Sequence, residues 1–257
     1  MKILVTSDWH LDAKTLGKWR FAELSQTITS MVDKAIAKDI HLFVFMGDLM
    51  DPEVQPITYR VYEFLIGICR RLDDAGITSI WLTGNHDVME DGLYTSTLTP
   101  LKGLQKVSKV EDWVQLPKSE VVSLYPGDIS VCDSYTQYEV FSRDKWSMHK
   151  ILCLPYTHST VVSPSEWLKK VEIGGHYVFG HLMIEGVILG DESTDFRRGS
   201  DRRLPTELLK GCKVFNGHYH KSQVYKKDDV DIHIPGSLAR LSFNEVSHKP
   251  SYLIVDV

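Results

Sequence analysis

"HLFVFMGDLMD", residues 41–51, is the stretch whose reading decides the fold. Its first part, 41–46, is a short apolar run without polar alternation, the mark of a strand buried on both faces. Such a strand belongs to a parallel sheet covered by helices, and the flanking sequence supplies both. On the N-terminal side, residues 2–6 read as a strand. Phe21, Leu24, Ile28, Met31, Val32, Ala35 and Ile36 then recur at helical spacing, which predicts an amphipathic helix over 20–38. On the C-terminal side a second helix fits 57–75, with Val61, Phe64, Leu65, Ile68, Cys69 and Leu72 on its inner face, and "ITSIWLT" (77–83) is another buried strand. The first ninety residues therefore alternate β-α-β-α-β, which implies parallel strands joined by helical crossovers.

The second half is richer in strands, predicted at 121–125, 129–135, 150–154, 176–180, 212–216, 222–226, 231–235 and 251–256, with short helices near 164–171 and 205–210. No repeat and no Pro/Gly/Ser linker divides the chain, so residues 1–257 are expected to form one domain: an α/β fold of two packed sheets flanked by helices.

Composition sets limits on function. The chain of 257 residues is 43% apolar and 25% charged, with no low-complexity tract. "MKILVTSDWH" lacks the apolar core of about 7–15 residues that a signal peptide needs, and no stretch approaches the roughly 18 apolar residues of a membrane span. Cys69, Cys132, Cys153 and Cys212 form no CxxC pair, and the reading is of reduced, packed thiols in a cytoplasmic protein without membrane partners. A net charge of −5 gives no global attraction to nucleic acid, so a polyanionic substrate would have to be held by local positive charge, metal ions included.

Polar residues cluster where predicted strands end, the place where ligand sites lie in open α/β sheets. "SDWH" brings Asp8 and His10; "GDLMD" brings Asp48 and Asp51; "GNHD" brings Asn85, His86 and Asp87; "HYVFGH" ends in His181; "VFNGHYH" ends in His218 and His220. Each loop alone reads equally as a turn or a cap. Their joint occurrence, each after a predicted strand, does not read as coincidence. Carboxylate, imidazole and amide groups without thiolate suit Mn²⁺, Fe²⁺ or Zn²⁺. Asp8, His10, Asp48, Asn85, His181, His218 and His220 are too many for one ion with open positions, and the right number for two ions sharing a carboxylate. Two ions ~3.5–4 Å apart can clamp a phosphoryl group and generate a hydroxide nucleophile near neutral pH.

In this set and order the motifs resemble those of the calcineurin-like metallophosphoesterase superfamily. Within it, "TSDWHLD", "GDLMDP", "TGNHD", "GHLMIEG" and the tail "HIPGSLARLSFNE" are similar to the Mre11/SbcD nucleases, as a nuclease core. The resemblance implies two mixed β-sheets packed face to face between helices. It also implies two divalent ions, Mn²⁺ before Fe²⁺, Zn²⁺ or Mg²⁺. One would be held by Asp8, His10, Asp48 and His220, the other by Asp48, Asn85, His181 and His218. A hydroxide between them would attack phosphorus in line, with His86 as a catalytic histidine that is not a ligand, oriented by Asp87. DNA is the implied substrate, for exo- and endonuclease action of the kind used in DNA repair. Helices near 57–72 and 93–107 would form a homodimer face. A Rad50/SbcC-type ATPase partner is in doubt, because the capping domain and partner-binding helices of the family lie beyond Val257. Asp51 stands where archaeal and eukaryotic relatives often carry a histidine, which places the chain nearer bacterial or phage members.

Substrate contacts are less legible. Arg197, Arg198, Arg202 and Arg203 in "DFRRGSDRRL" either track phosphates or pair with Asp191, Glu192, Asp195 and Asp201 on a solvated loop. Arg240 is a further phosphate contact to test. Trp9 and Tyr219 either stack a base or pack the wall of the site. A small-molecule phosphodiesterase or phosphomonoesterase is the alternative enzyme, and a non-enzymatic scaffold on the same fold the third reading.

Overall fold

The computed structural model describes residues 1–53, 55–89, 95–105, 121–141, 147–157, 163–171, 173–187, 203–227, 229–242 and 245–257. Its first part runs β1 (Lys2–Thr6), the two-residue strands β2 (Lys14–Thr15) and β3 (Lys18–Trp19), α1 (Phe21–Ala37), β4 (Leu42–Met46), α2 (Thr58–Asp74) and β5 (Thr78–Leu82). Then follow β6 (Val121–Leu124), β7 (Ile129–Cys132), β8 (Thr136–Phe141), β9 (Met148–Leu154), α3 (Pro164–Leu168) and β10 (Tyr177–Gly180). The chain closes with β11 (Lys213–Asn216), β12 (Gln223–Lys227), β13 (Val230–Ile234) and β14 (Leu253–Asp256).

Two mixed sheets result. The first has the order β14-β1-β4-β5-β7. Its strands β1, β4, β5 and β7 are parallel, as the helical crossovers require, and β14 closes the edge antiparallel to β1. The second has the order β12-β13-β11-β10-β9-β8-β6, with β13, β11, β10 and β9 parallel at its centre. Antiparallel pairings of β12 with β13 and of β8 with β9 flank that centre.

Strand parity explains why the central strands are apolar throughout. In the first sheet, Ile3, Val5, Leu42, Val44, Met46, Ile80 and Leu82 point between the sheets, where they meet Tyr138, Val140, Ile151, Cys153, Phe179 and Phe215. Their alternates Leu4, Phe43, Phe45 and Trp81 point the other way, onto Leu24, Ile28, Met31, Val61, Leu65 and Ile68 of α1 and α2. The second sheet repeats the pattern, with Leu152, Leu154, Val178, Val214 and Ile232 packed on an outer cluster with Leu168 and Leu209. Each Val, Leu, Ile or Phe so buried contributes about 1.5–3 kcal/mol. Three apolar layers alternate with two sheets, which matches the expected face-to-face arrangement.

Some elements depart from the sequence reading. The strand predicted over 129–135 stops at Cys132, because Asp133 and Ser134 turn the chain into β8, which the reading omitted. β8 is half-buried, with Tyr138 and Val140 inward and Gln137 and Glu139 at intermediate exposure. The helix predicted at 205–210 is a 3-10 turn, Thr206–Leu209, and a second such turn, Thr99–Leu104, lies within the segment 93–107 where the resemblance implied a helix. All four cysteines are buried and reduced. No helix among the described residues is long and apolar enough to cross a membrane.

Candidate metal centre

The parallel strands β1, β4, β5, β10 and β11 all end at one edge of the sandwich, and the five polar loops follow them there. Backbone bonds lace the loops together: Asp8 N–H donates to Gly47 O (2.9 Å), His10 N–H to Asp48 O (3.1 Å) and Gly217 N–H to Gly180 O (2.8 Å). Asp8, His10, Asp48 and His218 hold φ of 53°, 42°, 61° and 71°, the left-handed region that non-glycine residues seldom occupy. Each such residue stores of order 1–3 kcal/mol of strain, a feature that concentrates at functional sites. Glycine is obligatory at two neighbours: a Cβ on Gly84 would lie 2.2 Å from Asp48 Oδ1, and one on Gly217 would lie 2.2 Å from Ser7 Oγ.

The loops assemble two groups of candidate ligands, Asp8 with His10 and His220, and Asp48 with His181 and His218; within each, the ligating atoms lie within 4.8 Å of one another. Asp48 faces both. Its Oδ2 is 3.7 Å from His10 Nε2 and 3.3 Å from His181 Nε2. Asn85 joins the second group, its Oδ1 lying 2.8 Å from His218 Nδ1 and 3.0 Å from His181 Nε2. Both carboxylate oxygens of Asp8, Nε2 of His10 and Nε2 of His218 are buried without a hydrogen-bond partner. Buried polar atoms are ordinarily paired, and leaving one unpaired costs about 1–3 kcal/mol. Orphaned atoms of ligand type, present in both candidate groups, fit divalent cations bound by oxygen and nitrogen.

The protonation pattern fits the same conclusion. Burial holds the His10 and His218 imidazoles down at about 3, so both are neutral and offer lone pairs near neutral pH. Burial also acts against charge on His181, yet Asp48 beside it outweighs that effect and raises it to about 9. Asp48 itself is pulled well below the carboxylate range: burial opposes, and the charge and hydrogen bond of His181 prevail. Burial raises Asp8. Protons thus occupy places that a cation would take, the usual linkage between metal binding and proton release. Ring orientation is fixed from behind: His181 Nδ1 donates to Met46 O (2.6 Å), and His220 Nδ1 meets Glu245 Oε1 (2.8 Å), leaving its Nε2 3.8 Å from Asp8 Oδ1.

His86 lies beside this centre, its ring 5.1 Å from that of His10 between centroids. The expected orienting group, Asp87, is corrected by the structure. The Asp87 carboxylate is buried and accepts from the backbone N–H of Asp48 (2.8 Å), Leu49 (2.9 Å) and Gly84 (2.8 Å), and from the Thr97 hydroxyl. It clamps two loops together and is turned away from the imidazole. The partner of His86 Nδ1 is Asp51 Oδ1 at 2.8 Å, and that hydrogen bond, against burial, raises the ring to about 9. Protonated His86 therefore donates to Asp51 through Nδ1 and keeps its Nε2 proton.

Trp9 and Tyr219 pack the wall. Trp9 is fully buried against Phe43, Phe45 and Trp81 and donates to Thr6 Oγ1 (2.9 Å), while the Tyr219 hydroxyl accepts from Ile184 N (2.9 Å). Neither is open to a base. Arg240 Nε donates to His248 O (2.9 Å), which ties it to its own loop. Arg203 is half-buried near Tyr219. Arg197, Arg198 and Arg202, and residues 93, 94, 106 and 107 of the expected dimer face, lie outside the described residues. Asp51 and Glu245 are the partners that sequence reasoning did not assign. Asp51 had a signal, its spacing three after Asp48; Glu245 closes the family-like tail "HIPGSLARLSFNE", but nothing in the sequence pairs it with His220, 25 positions away.

Strand-end loops from two sheets, gathering carboxylates, imidazoles and an amide around orphaned ligand atoms, define a metal-dependent phosphoesterase. The chain belongs to the calcineurin-like phosphoesterase family, whose model matches residues 1–222. It is 23% identical over 266 residues to the SbcD component of the SbcCD nuclease of Staphylococcus epidermidis, an alignment covering 100% of this chain and 66% of that protein. A shorter match, 35% identical over 88 residues, joins 34% of the chain to 26% of exonuclease subunit 1 of Enterobacteria phage T4. The chain thus spans less than two thirds of the length of these relatives. In structure it is similar to a dimetal phosphatase from Danio rerio, with a TM-score of 0.51 at 11% identity, covering 92% of this chain and 87% of that one.

Proposed function

We propose that the protein is a two-metal phosphodiesterase that acts on DNA, a nuclease core with exo- and endonuclease action. The observation that carries the reading is the meeting of two ligand groups at Asp48, lined by orphaned carboxylate and imidazole atoms. Asp8, His10, Asp48 and His220 hold one ion; Asp48, Asn85, His181 and His218 hold the other. Mn²⁺ is the proposed metal: oxygen and nitrogen donors without thiolate suit Mn²⁺, Fe²⁺ or Zn²⁺, and the resemblance to the Mre11/SbcD nucleases puts Mn²⁺ first. When bound, two such ions polarise the phosphoryl oxygens and supply a hydroxide nucleophile near neutral pH. The protein's own groups do the rest. The left-handed turns at Asp8, His10, Asp48 and His218 fix the ligand atoms before substrate arrives. His86, about half exposed and held by Asp51, donates its Nε2 proton to the departing ester oxygen. DNA as substrate is supported by likeness to a nuclease component over the whole chain and to an exonuclease over part of it.

The test is a Mn²⁺-supplemented digest of single-stranded DNA, duplex ends, a cyclic nucleotide and an aryl phosphodiester. The expected result is degradation of DNA, abolished by a chelator. Turnover of the cyclic nucleotide or the aryl ester with DNA left intact would move the assignment to a small-molecule phosphodiesterase.

A further inference from the structure

The family match ends at residue 222, yet one of the groups that shape the metal centre lies beyond it. Glu245 approaches His220 from the closing segment of the chain. Its Oε1 lies 2.8 Å from His220 Nδ1, and its Oε2 accepts from Leu241 N at 2.6 Å. The segment that carries it is fastened at several points. His248 N–H donates to Glu245 O (2.8 Å), Ser237 N–H donates to His220 O (3.0 Å), and His248 Nε2 lies 3.1 Å from Ser237 Oγ. Arg240 Nε donates to His248 O (2.9 Å), and the Arg20 guanidinium at the start of α1 donates to Arg240 O. Gly236 packs so closely that a Cβ there would lie 2.6 Å from His220 O. Residues 236–242 and 245–248 thus back onto His220, and the one carboxylate among them is spent on its ring. A carboxylate behind an imidazole sets which nitrogen carries the proton, fixes the ring plane and strengthens the opposite nitrogen as a donor to metal.

We infer that Glu245 is a positioning residue for one metal site only: by holding His220 Nδ1 it directs Nε2 toward the ion shared with Asp8 and His10. The inference rests on the two-ion reading above. The asymmetry follows from the geometry, because Glu245 reaches His220 of the first group, whereas His181 of the second is held independently by Met46 O.

Calorimetric titration of Mn²⁺ into the wild type, Glu245→Gln and Glu245→Ala tests it, with metal-free thermal melting as the control for folding. The wild type should show two binding steps. Glu245→Ala should weaken one step by about 10–100-fold, the usual effect of losing such a partner, and leave the other within about threefold. Glu245→Gln, which keeps an acceptor but not the charge, should fall between. Two unchanged steps in Glu245→Ala would overturn the inference, as would equal weakening of both steps. A wild type that binds one ion or none would sink the two-ion reading instead, a result distinguishable from failure of the Glu245 role.

Discussion

On the proposed reading His86 differs from the candidate ligands in role though not in distance: it follows Asn85 directly, while its ring is held by Asp51 at 2.8 Å. His86→Ala is therefore expected to leave bound Mn²⁺ unchanged and to lower phosphodiester hydrolysis by about 10²–10⁴-fold, the usual scale for a lost general acid. Asp51→Asn should produce a smaller loss of rate with the same metal content. Release of metal from His86→Ala would make the imidazole a ligand. Asp87 should behave differently. Its carboxylate satisfies three backbone amides, so Asp87→Ala is expected to destabilise the metal-free protein by about 3 kcal/mol or more, read by denaturant melts. At this scale the sequence was legible for the seven candidate ligands, because each follows a strand end by one to four residues, in most cases beside a glycine. It was not legible for the partners of those ligands. Asp87 adjoins His86 in the chain, but successive side chains point in different directions, and the interacting acids come from other loops.

At the scale of elements, the periodicities carried the fold. Continuous apolar runs located β1, β4 and β5, and helical spacing located α1 and α2 within a residue or two. What failed were segments whose identity depends on neighbours. β8 forms only because β9 and β6 present it with partners on both sides, and β2 and β3 are too short to carry any period. The tight approach of the loops at Asp48 was equally illegible beyond the presence of glycine. It makes a sharp contrast between two substitutions. Gly84→Ala should destabilise the metal-free protein by about 1–3 kcal/mol and weaken metal binding, since its Cβ would sit 2.4 Å from Asp48 N, a backbone atom that cannot swing aside. Gly67→Ala, on α2 with nothing within 4 Å of the added carbon, should instead stabilise by about 0.5–1 kcal/mol. Thermal melting of both variants checks the pair, and equal effects would contradict the packing account.

For the whole molecule, the candidate centre joins the two sheets. Loops after β1, β4 and β5 supply Asp8, His10, Asp48 and Asn85 from the first, and loops after β10 and β11 supply His181, His218 and His220 from the second. Ions bound there would fasten one sheet to the other. A ligand at 100 times its dissociation constant stabilises by about 2.7 kcal/mol, which for a chain of this size raises the melting temperature by roughly 5–10 °C per site at about 2–4 °C per kcal/mol. Mn²⁺ is expected to produce that rise in the wild type, and a scan with and without the ion reads it. The claim on which the account turns is that Asp48 serves both ions, and the direct measurement is the number of Mn²⁺ equivalents bound per chain by the wild type and by Asp48→Ala, alongside His218→Ala and His220→Ala. The account predicts two equivalents in the wild type, none retained tightly by Asp48→Ala, and about one by each histidine variant. Two equivalents still bound by Asp48→Ala would contradict it.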